Sequence, residues 1–352
     1  MKNSVNWRTF KGDVDGDWDE LLLSSDCPAF FQSTSWARYK NGSGWNSERF
    51  IALGAQGVIA ATQVLIRSVG PALIAWAPGG ITFFRNQQKD CSDETILREA
   101  RNFFLKQFKF GLIRFNFQQS SVELEKIIGM HFNRPFRKLT SRVTSVVDCL
   151  DYSISKVTQH HRRRIKKSTA VNIVWNLSRA TKDLYDYSRM VEETARRNKI
   201  QLPFSNLTDL SALIDSYPYE ELYLLVGCVN GQCIAGVLTL ISGDKAFFLS
   251  SASSKSGLRL SAAYSMINEL LPLLRNRHVT HFDFGGLPDP PEMKIGIVRF
   301  KLGFGGAVYT KIGEFEVTSV PPLRWLYNSM ILLLGLLSLA RSMSQQIIRF
   351  KD

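Results

Sequence analysis

The sequence has few of the residues on which several common kinds of site depend. Its 352 residues include five cysteines with no CxxC spacing and five scattered histidines. Zinc-finger and CxxC redox patterns are therefore excluded, we assign no metal, and the cysteines (Cys27, Cys91, Cys149, Cys228 and Cys233) are expected to be free thiols in a reducing compartment. There is no GxSxG motif and no cysteine beside a histidine, so a covalent nucleophile is not indicated.

Long apolar segments are also scarce. The first 26 residues are rich in Asp and lack the apolar core of a signal peptide, so a cytoplasmic location is expected. From Trp325 to Ala340 three polar residues interrupt an apolar run of sixteen, which is shorter than the ~20 residues that span a bilayer. This run predicts either a peripheral helix, contacting the inner face of the cytoplasmic membrane through residues 325–341, or a helix packed on the protein.

Acidic residues are outnumbered. The chain has 31 Asp and Glu against 44 Lys and Arg, a net charge of +13. Such an excess favours a polyanionic partner (nucleic acid, an anionic membrane surface or a phosphorylated substrate) but also fits a merely basic enzyme. The apolar fraction of 45% and the length are those of a globular protein with room for two domains.

One order of elements occurs twice. Residues 50–66 and 224–241 each have the pattern of two strands joined by a Gly-containing turn. Each is followed by a strand, a helix and a closing strand: 72–77, about 93–107 and 111–117 in the first half, and 246–250, about 258–274 and a strand ending at 284 in the second. This predicts a mixed α/β fold with two tandem domains from an internal duplication, in the core order of GNAT N-acyltransferases. We expect a first domain over 1–135, a second over 136–318 and a C-terminal apolar helix over 319–352.

The second half contains an additional basic stretch. It follows a predicted strand over 142–148 and precedes a short strand (171–175) and helices at about 181–198 and 207–216. Within it, five cations occupy six positions: Arg162, Arg163, Arg164, Lys166 and Lys167. Such a cluster is expected to bind phosphates, either of a tRNA backbone or of a precursor's diphosphate, although a solvated basic helix face has the same pattern.

Three groups of residues resemble the FemABX family of peptidoglycan-bridge aminoacyltransferases. Residues 30–36 (FFQSTSW) resemble its F-x-Q-S-x-x-W opening, and 161–168 (HRRRIKKS) resemble R-x-x-I-K-K-A. Residues 283–306 resemble the block D-F-G-G … G-I-x-x-F-K-x-x-F-G-G. The resemblance, over about 28–316, implies transfer of an acyl or aminoacyl group to an amino group of a nucleotide- or lipid-linked envelope precursor, for peptidoglycan or for a surface polysaccharide. A catalytically inactive scaffold of envelope synthesis is the alternative.

Two residues in the last block are the catalytic candidates. Lys301 follows Phe300 in a strand-like run, and the resemblance implies a catalytic role in which a buried ammonium stabilises an oxyanion. Asp283 ends a strand before Gly285-Gly286. Its carboxylate is expected either to act as a base for the acceptor amine or to hold the glycine turn.

The donor and acceptor residues are less well defined. The phosphate loop of GNAT proteins would fall on 254–259, where Lys255 and Gly257 are candidates, but only one glycine is present and Arg259 replaces a small residue. No tightly bound cofactor is expected, and either acyl-CoA or aminoacyl-tRNA would serve as donor substrate. Lys40 and Arg67 are candidates for the acceptor's phosphates, and Tyr264 is a candidate for acceptor binding or for the core.

Overall fold

A computed structural model describes residues 5–12, 15–25, 29–87, 91–198, 202–293 and 295–333. The chain forms two compact units: unit 1 comprises residues 1–140 and 311–352, and unit 2 comprises 141–310. This division differs from the expected one at its second boundary. Residues 313–318 belong with unit 1 because they form a strand that pairs antiparallel with residues 112–117.

Unit 1 is built on one mixed sheet. Its strands are β1 (Asn6–Thr9), β2 (Asn46–Gly54), β3 (Gly57–Val69), β4 (Ala72–Ala77), β5 (Thr82–Phe83), β6 (Gly111–Phe117) and β14 (Gly313–Thr318). They lie in the order β1-β2-β3-β4-β6-β14, with β5 paired to β3. The helices are α1 (Asp15–Leu23), α2 (Thr34–Asn41), α3 (Asp93–Gln107) and α4 (Val122–His131), with 3-10 turns at Phe30–Gln32 and Arg85–Gln87. A further helix, the C-terminal helix, is described over 321–333.

Unit 2 has a second seven-stranded sheet. Its strands are β7 (Val143–Asp148), β8 (Val174–Leu177), β9 (Leu222–Val229), β10 (Gln232–Ser242), β11 (Lys245–Ser253), β12 (His281–Leu287) and β13 (Ala307–Thr310), in the order β13-β7-β12-β11-β10-β9-β8. Its helices are α5 (Gln159–Thr169), α6 (Thr181–Asn198), α7 (Leu207–Ser216), α8 (Lys255–Leu260), α9 (Ala262–Arg275) and α10 (Gly296–Leu302).

The two sheets confirm the duplication. In unit 1 the hairpin β2–β3 is followed by antiparallel β4, and β4 pairs in parallel with β6 across helix α3. In unit 2 the hairpin β9–β10 is followed by antiparallel β11, and β11 pairs in parallel with β12 across α8 and α9. A parallel pair needs such a crossover, and here a helix supplies it both times. The predicted mixed α/β fold with two tandem domains is therefore confirmed.

Several predicted elements differ locally. The helix predicted over 258–274 is two helices, because Ser261 adopts a left-handed backbone (φ 62°) between α8 and α9. The short strand predicted at 171–175 lies at Val174–Leu177. The run before the glycines of 303–306 is the helix α10 and not a strand.

Each crossover helix is buried through one face. Ser92 caps α3, its hydroxyl accepting from Thr95 N, and the buried side chains recur at helical spacing at Ile96, Leu97, Ala100 and Phe104. In unit 2 the equivalent face of α9 includes Met266, Ile267, Leu270 and Leu274, in one core cluster with Val237 of β10. No helix in the described part of the chain has the length and hydropathy to cross a membrane.

Candidate active site

Lys301 is buried in unit 2, on the last turn of α10. The residue is only 7% exposed. Its ammonium Nζ donates to the carbonyl oxygens of Gly286 (2.9 Å) and Gly285 (3.3 Å). Burial lowers the pKa of Lys301 to about 8, and the Asp283 carboxylate opposes that shift. An ammonium has three N–H donors, and these two carbonyls are the acceptors that it has among the described residues. The third N–H has no oxygen acceptor among the described residues, and Nζ lies 5.6 Å from the centroid of the Phe248 ring.

Asp283 holds the turn that supplies those carbonyls. Its Oδ1 accepts from the backbone N–H of Gly285 (2.7 Å) and from the Thr144 hydroxyl. Gly285 has φ 72°, a left-handed conformation that glycine adopts without strain, and the pairing of β12 with β7 is irregular between Asp283 and Gly286. Of the two roles predicted for this carboxylate, the turn contact is present, and the role of base stays a prediction.

Helix α5 is packed against the segment that carries Lys301. Its buried residues His161, Ile165 and Ser168 lie on one face. The His161 Nε2–H donates to the carbonyl of Phe300 (3.0 Å), and its Nδ1 accepts from the Thr158 hydroxyl (3.0 Å). Burial lowers the pKa of His161, which favours the neutral ring.

A glycine makes this close packing possible. A Cβ built on Gly303 would lie 2.1 Å from Cε1 of His161, so any other residue would push α5 away. His161 thus joins α5 to the segment that carries Lys301, a contact that the sequence reasoning missed. The sequence feature that could have indicated this contact is the position of His161 in the H-R-R-R-I-K-K-S motif, directly before the cations.

The five predicted cations of α5 are all exposed, outside the buried face that His161 shares with Ile165 and Ser168. Two of them contact α8 and the residue that follows it: Lys167 Nζ donates to the carbonyl of Arg259 (2.7 Å), and Arg164 lies 3.4 Å from the Ser261 hydroxyl. The structure therefore brings the two predicted phosphate-binding segments together. We call the resulting patch the basic surface; it consists of Arg162, Arg163, Arg164, Lys166, Lys167, Lys255 and Arg259.

Gly257 has a packing role. It lies inside α8, and a Cβ at this position would meet the carbonyl oxygen of Ile234 at 2.1 Å. Its N–H is taken by the hydroxyl of Ser254, which caps the helix (3.2 Å). A backbone N–H that is already bonded is not offered to a pyrophosphate, so the structure does not favour the standard GNAT phosphate loop here.

The three acceptor candidates are divided between the units, with Tyr264 in unit 2 and Lys40 and Arg67 in unit 1. Tyr264 packs in unit 2 between His161 (ring centroids 4.9 Å apart) and Phe300 (5.3 Å), so its described contacts are those of a core residue. In unit 1 the Arg67 guanidinium closes a turn by donating to the carbonyls of Ser43 (2.5 Å) and Gly44 (3.1 Å). Lys40 lies over the ring of Tyr39, 4.5 Å from its centroid.

Unit 1 also has a cavity of about 470 Å³ that the sequence reasoning missed. Polar and charged side chains line it, among them Arg38, Asn41, Glu48 and Arg49, but neither Lys40 nor Arg67 does. No motif marks these residues, because they come together only when α2 packs on β2.

Among the described residues, one group of side chains has atoms close enough to hold a metal ion. The ligand atoms of Asp183, Asp186 and Cys233 lie within 4.8 Å of one another, and the Sγ atoms of Cys228 and Cys233 are 2.9 Å apart across the β9–β10 hairpin. Burial and then the Cys228 thiol raise the pKa of Cys233, whose S–H donates to Asp183 (3.6 Å). A protonated thiol is a poor ligand, and the prediction that no metal binds stays a prediction.

Two sheets of this topology in one chain define the class: a tandem GNAT-like protein. The crystal structure of FemX has the same fold over 91% of this chain and 100% of its own, with a TM-score of 0.75 and 15% identity. A tandem GNAT protein from the clavulanic acid biosynthesis pathway matches 89% of this chain and 98% of its own, with a TM-score of 0.52 and 10% identity. At these identities the likeness concerns the fold.

Comparison with known sequences indicates which proteins of this class the chain resembles. The FemAB family model matches residues 228–331, the segment that contains Asp283 and Lys301. A Lipid II:glycine glycyltransferase of Staphylococcus haemolyticus is 28% identical over 128 residues, and one of Staphylococcus epidermidis is 31% identical over 129 residues. Each match covers 36% of this chain and 28% of the relative's length. The resemblance to FemABX-type transferases is therefore confirmed, and the family model covers residues 228–310 of unit 2 and residues 311–331 of unit 1.

Proposed function

We propose that this protein transfers an aminoacyl group from aminoacyl-tRNA to an amino group of a peptidoglycan precursor. The observation that carries the proposal is the joining of two features in unit 2. Lys301, a buried ammonium with one donor left for substrate, lies on the segment against which His161 fixes the basic helix α5. A polyanionic donor bound on that helix would have its reactive end close to Lys301.

The reaction needs no covalent enzyme intermediate. The neutral acceptor amine attacks the carbonyl carbon of the aminoacyl ester, and the carbonyl oxygen becomes an oxyanion that accepts a hydrogen bond from Lys301 Nζ. The ester C–O bond then breaks. The 3′-terminal ribose oxygen of the tRNA leaves with the proton that the amine gives up, and an amide is formed. Asp283 acts as a positioning residue, since it holds the turn whose carbonyls orient the ammonium.

Two observations support tRNA over acyl-CoA as donor. Gly257 is used for packing and its N–H is bonded to Ser254, so the loop that would hold a pyrophosphate is a capped helix. The basic surface extends over α5 and the α8 segment, and such an extended surface suits a long phosphate backbone.

The acceptor follows from the sequence relatives. Those in the comparison are named as acting on lipid II, a lipid-linked peptidoglycan precursor, and the acceptor proposed here is a peptidoglycan peptide of that class. A surface-glycan amine is the less favoured acceptor. An inactive scaffold is also less favoured. Burial of the Lys301 ammonium lowers the stability of the fold, and a protein that only binds its partners does not need a buried ammonium.

The test is a binding titration of the full chain with charged tRNA and with acetyl-CoA at several salt concentrations. We expect saturable tRNA binding, and a variant with Arg162, Arg163 and Arg164 changed to Ala should bind at least about tenfold more weakly, with a shallower salt dependence. The matched control changes three exposed cations of α6, Lys182, Arg189 and Arg197, to Ala and should bind as the wild type does. Tight acetyl-CoA binding with indifference to tRNA would refute the proposed donor.

A further inference from the structure

The C-terminal helix is attached to unit 1 through its polar side chains. Asn328 is fully buried: its Nδ2 donates to both carboxylate oxygens of Glu316 (2.9 and 3.0 Å), and its Oδ1 accepts from Arg114 (3.1 Å). One turn earlier, Arg324 donates to Glu316 Oε2 (3.1 Å) and to the carbonyl of Arg134 (2.7 Å). Residues four apart lie on the same side of a helix, so this side faces the sheet.

The opposite side of the helix, with Leu326, Met330 and Leu333, is exposed and apolar; Leu326 and Leu333 are 70% and 57% exposed. Trp325 (60% exposed) and Leu332 flank the bonded side and are exposed as well. Ser329 is the one polar side chain at the exposed positions from 325 to 333. An ordinary surface helix has the reverse arrangement, with its apolar face inward and its polar face outward.

The buried network fixes the rotation of the helix. Turning it to bury Trp325 and Leu326 would remove Asn328 and Arg324 from Glu316, a fully buried carboxylate that also pairs with Arg114. An unpaired buried charge costs several kcal/mol, so the outward orientation of the apolar side chains is built into the fold. The ring of Phe136 packs on Trp325 (centroids 4.4 Å apart) and extends the apolar area onto the neighbouring segment.

We infer that this apolar face (Trp325, Leu326, Met330, Leu332 and Leu333) is the contact of unit 1 with an anionic lipid bilayer. A face this apolar lowers its free energy by entering the boundary between headgroups and acyl chains, where a tryptophan is also favoured. The charge of the protein suits anionic lipid: the net charge is +13, and after residue 340 the sequence has three basic residues and one acidic residue. The inference does not depend on the proposed activity.

Vesicle flotation with the full chain tests it without any substrate. The probes are vesicles of phosphatidylcholine with 30 mol% phosphatidylglycerol, and vesicles of phosphatidylcholine alone. We expect the protein to float with the anionic vesicles, and the double variant Leu326→Ser/Leu333→Ser to partition at least about tenfold less, since each serine removes most of the gain from burying a leucine. The matched control is Val122→Ser/Met130→Ser, which alters two exposed apolar residues of α4 in the same unit and should float like the wild type.

A second readout separates lipid from other partners of the face. Brominated acyl chains should quench part of the tryptophan fluorescence, and Trp325→Phe should remove the quenched part. The inference is overturned if wild-type protein does not float, or if the control variant loses partitioning as much as the double variant. It is also overturned if the face is instead covered by a second copy of the chain, which would appear as a concentration-dependent dimer that Leu326→Ser/Leu333→Ser dissociates.

Discussion

Replacing Lys301 with Met removes a buried ammonium while it keeps a long unbranched side chain. The folded-state pKa of Lys301, about 8, lies below the ordinary lysine pKa of 10.5, so between these values the unfolded chain binds more protons than the folded one. Stability of the wild type should therefore rise with pH through this window. A pKa lowered from 10.5 to about 8 corresponds to roughly 3 kcal/mol of unfolding free energy, which the wild type gains across this pH window and Lys301→Met does not.

The assay is urea unfolding of both proteins from pH 7 to pH 10.5. The difference in unfolding free energy between wild type and Lys301→Met should change by about 3 kcal/mol in favour of the wild type as the pH rises. At neutral pH the variant should fold as well as the wild type but lose about 10²- to 10³-fold in kcat, the effect of deleting one oxyanion donor. Parallel stability curves, together with full transfer activity of the variant, would refute both the buried charge and its role.

Three further changes test neighbouring parts of the account. Asp283→Asn removes the carboxylate that raises the Lys301 pKa, so the alkaline fall of activity should move to lower pH; an unchanged pH profile would contradict their coupling. Gly257→Ala should destabilise the protein by about 1–3 kcal/mol through the clash with Ile234, whereas Gly296→Ala, which meets no atom, should be tolerated. Glu316→Gln should cost about 3–5 kcal/mol in thermal or urea unfolding, against less than about 1 kcal/mol for the exposed Glu192→Gln; equal effects would show that burial does not govern the network.

The sequence predicted the elements whose signals are local. The hairpins, α3 and α6 have alternating or helical apolar spacing, and their bounds were predicted within a few residues because periodicity and capping residues lie within the element itself. The segment around Lys301 was predicted as strand-like because Ile297, Val298 and Phe300 favour strands, yet it is a helix held by contacts with β7 and α5. Tertiary packing overrides propensity in so short an element.

Long-range pairing had no local signal. Strand β14 pairs with β6, which lies about 200 residues earlier in the chain, and no local pattern in its sequence predicts that pairing. The buried arginine of β6 was the one available sign: Arg114 lies in an otherwise apolar strand, and a charge there requires an opposite charge from elsewhere in the chain. In the site, Asp283 and Lys301 were predicted from the motif, whereas the contact of His161 with Phe300, 139 residues away, was not.

The most direct test of the central claim is a transfer assay with the full chain. It contains tRNA charged with labelled amino acids and, as acceptor, a lipid-linked peptidoglycan pentapeptide precursor. The account predicts that label moves to the precursor in an amide stable to mild alkali, that Lys301→Met prevents the transfer, and that acetyl-CoA is not consumed. Label that stays on tRNA while acetyl-CoA acylates the precursor would contradict it.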